Sequence, residues 1–177
     1  MIVFRQADPR YPFLWESSDQ PAGRWHGPGE GPAHYFADTP DGAWAELLRH
    51  EEITDPEDLT TIRRALWAVD IGARDLTAVE LPSAELTGGP ESWPACQRAA
   101  RTLRTHTTGG LTAVSAALRP GSARGWQVSD GQHPAEPRDG RVIVVFGPAP
   151  ELVGWRCVEQ GSPPAGVLAS VRHYRDR

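Results

Sequence analysis

Residues 33–51 read AHYFADTPDGAWAELLRHE, and this stretch decides the fold class. Its first five residues alternate around Tyr35, the period of two that a strand requires. Thr39-Pro40-Asp41 then starts a helix. A hydroxyl caps free N–H groups, a proline sits where the first turn has no N–H to give, and an acid faces the positive helix end. Ala43, Trp44, Leu47 and Leu48 follow at helical spacing and form an apolar stripe that carries the helix to about Glu51. Strand and helix in direct succession, with further strands on both sides, predict an α+β fold.

Working outward, Ile2–Phe4 reads as a short first strand ending in Arg5. A loop rich in Pro, Ser and Gly spans 8–32 and contains Gly23-Arg24-Trp25-His26. Downstream, Asp55–Asp58 is a turn or a helical turn, and Ala65–Ile71 is a strand with Leu66, Ala68 and Asp70 on one face. Trp93, Cys96, Ala100 and Leu103 predict a helix over Pro90–Arg104. Leu111–Val114 is a short strand running into Ser115, and Pro120–Arg141 is a long Gly- and Pro-rich loop, of the kind that often forms a lid or binding segment. The all-apolar Val142–Phe146 suits a central strand. Leu152–Val158 and Val167–Tyr174 are weaker strand candidates. With no internal repeat, residues 1–177 are expected to form a single domain.

The bulk composition excludes several functions. A formal net charge of -5, with no basic block, argues against a nucleic-acid partner. All 18 basic residues are Arg, so there is no lysine for a P-loop or a Schiff base. Any phosphate must be held by Arg, backbone N–H groups or hydroxyls. Cys96 and Cys157 lack metal or redox spacing, the N-terminus meets charge at Arg5, and no apolar run approaches the roughly 18 residues of a membrane span. These features predict a cytoplasmic protein with reduced thiols and no membrane partner.

Gly27-Pro28-Gly29-Glu30-Gly31 lacks the spacing of a dinucleotide fingerprint and opens no helix. His26 and His34 stand apart in a loop, HExxH is absent, and no metal site is expected. No Ser lies in a G-x-S-x-G elbow. What remains is a set of polar residues: Arg5, Arg24, Tyr35, Glu46 and Ser115. Gly23 lets the backbone approach a ligand beside Arg24, Trp25 offers an anchor, and Glu46 sits at the margin of the helix's apolar stripe.

Phe4-Arg5, GRWHGPG from Gly23, YFADTPDGAWAE from Tyr35 to Glu46, and GLTAVSAA carrying Ser115 together resemble the RES domain, a family named for its Arg, Glu and Ser. Arg24, Tyr35 and Glu46 follow one another at intervals of eleven residues, as in the family pattern. The resemblance implies one domain with a mixed β-sheet core and short flanking helices, similar to ADP-ribosyltransferases. It implies an enzyme that cleaves NAD by hydrolysis or phosphorolysis, without a metal, as the toxin of a toxin–antitoxin pair with an Xre-like antitoxin. Some members instead ADP-ribosylate a protein target, and a silent nucleotide-binding or biosynthetic member is a further alternative. By the same resemblance Arg24, Glu46 and Ser115 are the catalytic set, and Arg5, Tyr35, Trp25 and His26 bind substrate. Arg5 and Arg24 would hold the pyrophosphate or ribose side, Tyr35 would pack on the nicotinamide or its ribose, and Ser115 would position either. Glu46 would stabilise positive charge at the ribose carbon. The second half departs from the pattern: the family's Asn before its last core strand is replaced by Gly140-Arg141.

Overall fold

The computed structural model describes residues 1–14, 17, 19–106 and 109–174; residues 15, 16 and 18 of the loop expected over 8–32 lie outside it. Seven strands form one sheet: β1 (Ile2–Ala7), β2 (Ala33–Ala37), β3 (Arg64–Asp70), β4 (Leu76–Ala78), β5 (Gly110–Val114), β8 (Arg141–Phe146) and β9 (Val153–Gly161). The spatial order is β4-β5-β8-β2-β1-β3-β9, and β4–β5 is the parallel pair in an otherwise antiparallel sheet. Among the described residues three α-helices accompany it: α1 (Pro40–His50), α2 (Ser83–Thr87) and α3 (Trp93–His106). The fold is α+β with a mixed sheet, as the sequence predicts.

The start of α1 follows from Thr39, whose hydroxyl accepts the Gly42 N–H at 3.0 Å while Pro40 occupies the first turn. The helix lays Ala43, Trp44, Leu47 and Leu48 against β1 and β2, in a cluster with Leu59, Leu66, Leu118 and Val167. Burying a side chain such as Leu48 completely contributes about 2 kcal/mol relative to leaving it in water. A second cluster joins α3, through Cys96 and Ala100, to Leu111, Val142 and Val144. The opposite face of the sheet, built on Val3, Phe36, Val69, Ile143 and Val145, packs against Phe13, Leu14 and Leu152. The β8 strand is buried between β5 and β2, as its apolar run requires.

One junction in the sheet positions everything that follows. β1 meets β3 in six register pairs and β2 meets β8 in five, yet β1 and β2 meet only at Phe4↔Ala37. Beyond that pair Arg5–Ala7 and His34–Phe36 diverge, and a cleft opens between two half-sheets.

Three segments differ from expectation. Val167–Tyr174 is not a strand: a 3-10 helix spans Ala165–Ser170, started by Val167 N–H on the Pro164 carbonyl, and Val171 makes only an isolated bridge to Leu118. Its apolar residues Val167 and Val171 fill the α1 cluster instead of extending the sheet. The loop over 120–141 contains a two-stranded hairpin, β6 (Trp126–Val128) and β7 (Gln132–Pro134), turning at Asp130 and Gly131, which both take positive φ. Its base is tied down by the Arg138–Asp38 ion pair. β4 and α2, at three and five residues, are too short to leave a periodic signal.

Candidate active site

The cleft is a cavity of about 590 Å³, within the range of small-molecule sites. Arg5, Arg24, His26, Tyr35 and Glu46 all line it, drawn from β1, the 23–26 turn, β2 and α1. Two residues expected at the site stand elsewhere. Trp25 is 1% exposed and packs into the core with Leu86, Cys96 and Ala100, so it anchors the fold and not a ligand. Ser115 is 3% exposed and sits behind the cavity wall.

Glu46 projects from the middle of α1, between the buried Ala45 and Leu47. Its Oε1 accepts the Ser115 hydroxyl at 3.2 Å. That hydroxyl in turn accepts the N–H groups of Ala117 (3.1 Å) and Leu118 (3.2 Å), so its single proton is committed to the carboxylate. The Ser115 N–H is fixed by the Gly140 carbonyl at 2.8 Å, the position where the family pattern has its departure. Ser115 is therefore a positioning residue for Glu46. Burial pushes the Glu46 pKa above its ordinary 4.5, opposed by Arg49, Arg24 and the Ser115 hydrogen bond. A raised folded-state pKa means the carboxyl favours the fold most below 4.5 and costs stability as pH rises through the raised value. If the reaction needs the anion, activity falls on the acid side at a pH above 4.5. Replacing Ser115 with Ala should move that limb higher still, with KM nearly unchanged, in a kcat/KM-against-pH profile. An acid limb that stays in place would show that Ser115 does not act through Glu46.

Arginine surrounds this carboxylate. Arg24 is held by three acceptors on the other side: the carbonyls of Glu85 (2.8 Å) and Gly88 (2.6 Å) and the Ser92 hydroxyl (3.0 Å). It thus closes the end of α2 while its charge acts on Glu46 and Tyr35. Arg5 differs. Its guanidinium carbon lies 5.9 Å from the centre of the Phe36 ring, and its Nη1 is buried with no hydrogen-bond partner among the described residues. Burial lowers its pKa to about 10, which leaves it charged at neutral pH. A buried donor without an acceptor is costly and is relieved by an anionic ligand.

Tyr35 and His26 form a short relay. The Pro21 carbonyl can only accept, so His26 Nε2 donates to it at 2.9 Å. Neutral His26 therefore accepts at Nδ1, where the Tyr35 hydroxyl donates at 2.9 Å while itself accepting the Trp25 N–H at 2.9 Å. Burial lowers the His26 pKa, which favours this neutral form, and raises that of Tyr35, which stays a phenol. A Cβ on Gly23 would lie 2.8 Å from the Tyr35 oxygen and 3.0 Å from the His26 ring. Gly23 thus admits these two side chains; they, and not a ligand, approach its backbone.

Arg49, Trp93 and Tyr174 are among the lining residues that escaped the sequence reading. Arg49, only 3% exposed, stands one helical turn after Glu46. It donates to four carbonyls, those of Ala116 (2.7 Å), Arg172 (2.6 Å), Thr87 (2.7 Å) and Gly88 (2.8 Å). Near a helix end an Arg reads as a solvated charge complementing the dipole. On the helix Arg49 falls roughly opposite the stripe of Ala43, Trp44, Leu47 and Leu48, so the periodicity carried no sign of its burial. Among the described residues no three His, Cys, Asp or Glu side chains gather to hold a metal ion. Among the described residues no helix is long and apolar enough to cross a membrane.

Comparison with known proteins bears on the fold and the family. No curated protein matches the sequence. Among solved structures, a chain of the M. tuberculosis MbcT–MbcA toxin–antitoxin complex is similar in fold. Its TM-score is 0.54 at 15% sequence identity, over 89% of this chain and 84% of that one. The sequence profile of the RES domain matches residues 3–158, a span that takes in Arg5, Arg24, Tyr35, Glu46 and Ser115, and the chain therefore belongs to the RES domain family.

Proposed function

We propose that the cavity binds NAD and breaks its nicotinamide–ribose bond, with Glu46 stabilising the positive charge that develops on the ribose. The observation that carries this reading is Glu46 itself: a carboxylate facing a cavity of dinucleotide scale, held by Ser115 from behind and flanked by arginines. Cleaving an N-glycosidic bond passes through an oxocarbenium-like state, which a fixed carboxylate stabilises. The bonding pair leaves with the ring nitrogen and neutralises the pyridinium. Nicotinamide thus departs neutral and needs no acid, so one carboxylate suffices. Water then adds to the anomeric carbon and loses a proton, giving ADP-ribose; phosphate in its place gives the phosphorolytic product. Arg5, with a buried donor lacking an acceptor among the described residues, supplies the charge for the pyrophosphate. Arg24, its hydrogen bonds committed to α2, contributes charge and shape.

On this reading residues 1–177 act as one RES-like domain in the cytoplasm, where the thiols of Cys96 and Cys157, both free, stay reduced. The fold likeness to a chain of a toxin–antitoxin complex supports a toxin role, with an Xre-like antitoxin as partner. The test is to incubate the purified protein with NAD, with and without phosphate, and to follow free nicotinamide by chromatography. Release is expected. No release under either condition would overturn the hydrolase and phosphorylase forms, and release only in the presence of a protein acceptor would establish the transferase instead.

A further inference from the structure

The RES profile ends at residue 158, but the cavity does not. The chain returns through the 3-10 helix at Ala165–Ser170 and brings Tyr174 to the cavity wall. This return is tightly held. Val171 bridges Leu118, the Arg172 N–H donates to the Ala117 carbonyl at 2.7 Å, and Arg49 donates to the Arg172 carbonyl at 2.6 Å. The Tyr174 N–H donates to Glu52 Oε1 at 3.2 Å. The Arg49 guanidinium carbon lies 4.4 Å from the centre of the Tyr174 ring, within cation–π range. A tyrosine clamped at backbone and ring, and still lining the cavity, has little rotamer entropy left to lose on binding.

We infer that Tyr174 is a substrate-contacting residue, an aromatic wall against which the nicotinamide ring of the dinucleotide packs. This inference rests on the proposed NAD cleavage. Its register comes from Arg49, whose guanidinium lies against the Tyr174 ring and whose charge also acts on Glu46, so ring and carboxylate share one arginine and one cavity. A side chain that shares Arg49 with the carboxylate is placed for the ring bonded to the scissile ribose carbon, and not for the adenine at the far end of the dinucleotide. Ring-against-ring contact of this kind is geometrically specific and adds to the area buried.

The experiment compares Tyr174→Leu and Tyr174→Phe with the unaltered protein, using NAD turnover and the binding of nicotinamide mononucleotide and ADP-ribose. For Tyr174→Leu, KM for NAD and Kd for nicotinamide mononucleotide should rise about three- to tenfold, from loss of the ring contact. Affinity for ADP-ribose should not change. Tyr174→Phe, which keeps the ring over Arg49, should behave as the unaltered protein. Unchanged nicotinamide mononucleotide binding in Tyr174→Leu overturns the inference, and so does an equal loss for ADP-ribose or an equal loss in Tyr174→Phe. Should the Leu variant not fold, the chain's three tyrosines allow a direct readout. The ring signals of carbon-13-labelled Tyr174, assigned by their absence in Tyr174→Phe, should shift on adding nicotinamide mononucleotide; no shift overturns the inference. If the unaltered protein neither turns over NAD nor binds nicotinamide mononucleotide, the proposed function has failed. If it does both and Tyr174→Leu matches it, only the role of Tyr174 has failed.

Discussion

Glu46→Gln is expected to bind NAD and fail to cleave it, with nicotinamide release reduced about a hundred- to a thousandfold, the scale set by removing a preorganised electrostatic group from a site. Gln keeps the shape of Glu and can still accept from the Ser115 hydroxyl, so the hydrogen bond behind the wall survives. What disappears is the negative charge that a carboxylate offers an oxocarbenium. Because that charge develops only as the bond breaks, the loss should fall on kcat and leave KM close to its starting value. The fold should survive, and stability should not fall, since burial already disfavours the ionised carboxyl. Single-turnover release of nicotinamide, with thermal unfolding as a control, checks both halves. Retention of even a tenth of the activity would remove Glu46 from the chemistry.

Arg49→Met is expected to be the most destabilising change near the site, by about 3–4 kcal/mol, with a fall in Tm of roughly 10 °C. Methionine fills much of the volume, but the carbonyls of Ala116, Arg172, Thr87 and Gly88 lose their donor together. Water has poor access to a site only 3% exposed, so much of the desolvation cost remains. Arg49→Lys should recover part of the loss, because one ammonium has three donors and no planar fork to serve four acceptors. Denaturant unfolding of the three proteins measures the series. Equal stability of Arg49→Met and the unaltered chain would show that the carbonyls find other partners.

The sequence reading succeeded where local chemistry leaves a pattern. Thr39, Pro40 and the stripe from Ala43 to Leu48 announce α1 because capping and periodicity are local events. Val142–Phe146 announces an interior strand because both its faces are buried. Arg5, Arg24, Tyr35 and Glu46 were brought together by the family pattern and not by periodicity; singly, each would pass for a structural residue. The failures have a common cause in contacts between distant residues. Nothing near Arg49 reveals the carbonyls of residues 87, 88, 116 and 172 that it bonds. Val167–Tyr174 has the apolar content of a strand, but the α1 core claims its side chains, and no local signal records that choice. Trp25 beside Arg24 looked like a ligand anchor because adjacency in sequence says nothing about which way a turn sends each side chain.

Because β1 and β2 pair with each other only at Phe4 and Ala37, each depends on a later strand for the rest of its pairing, and synthesis sets that order. The side chains proposed for the chemistry all lie within the first 46 residues, but each half-sheet waits for later strands: β1 for β3, and β2 for β8. Ser115 must arrive before Glu46 has its hydrogen bond, and Arg172 before Arg49 is fully tied. At ribosomal speeds the interval from residue 46 to residue 172 is on the order of ten seconds. Throughout it the emerging chain carries its reactive residues without the geometry to use them. On the proposed reading of NAD cleavage this delay is a latency in the chain itself: the cavity proposed for the dinucleotide is not walled until strands and contacts far beyond α1 have been made.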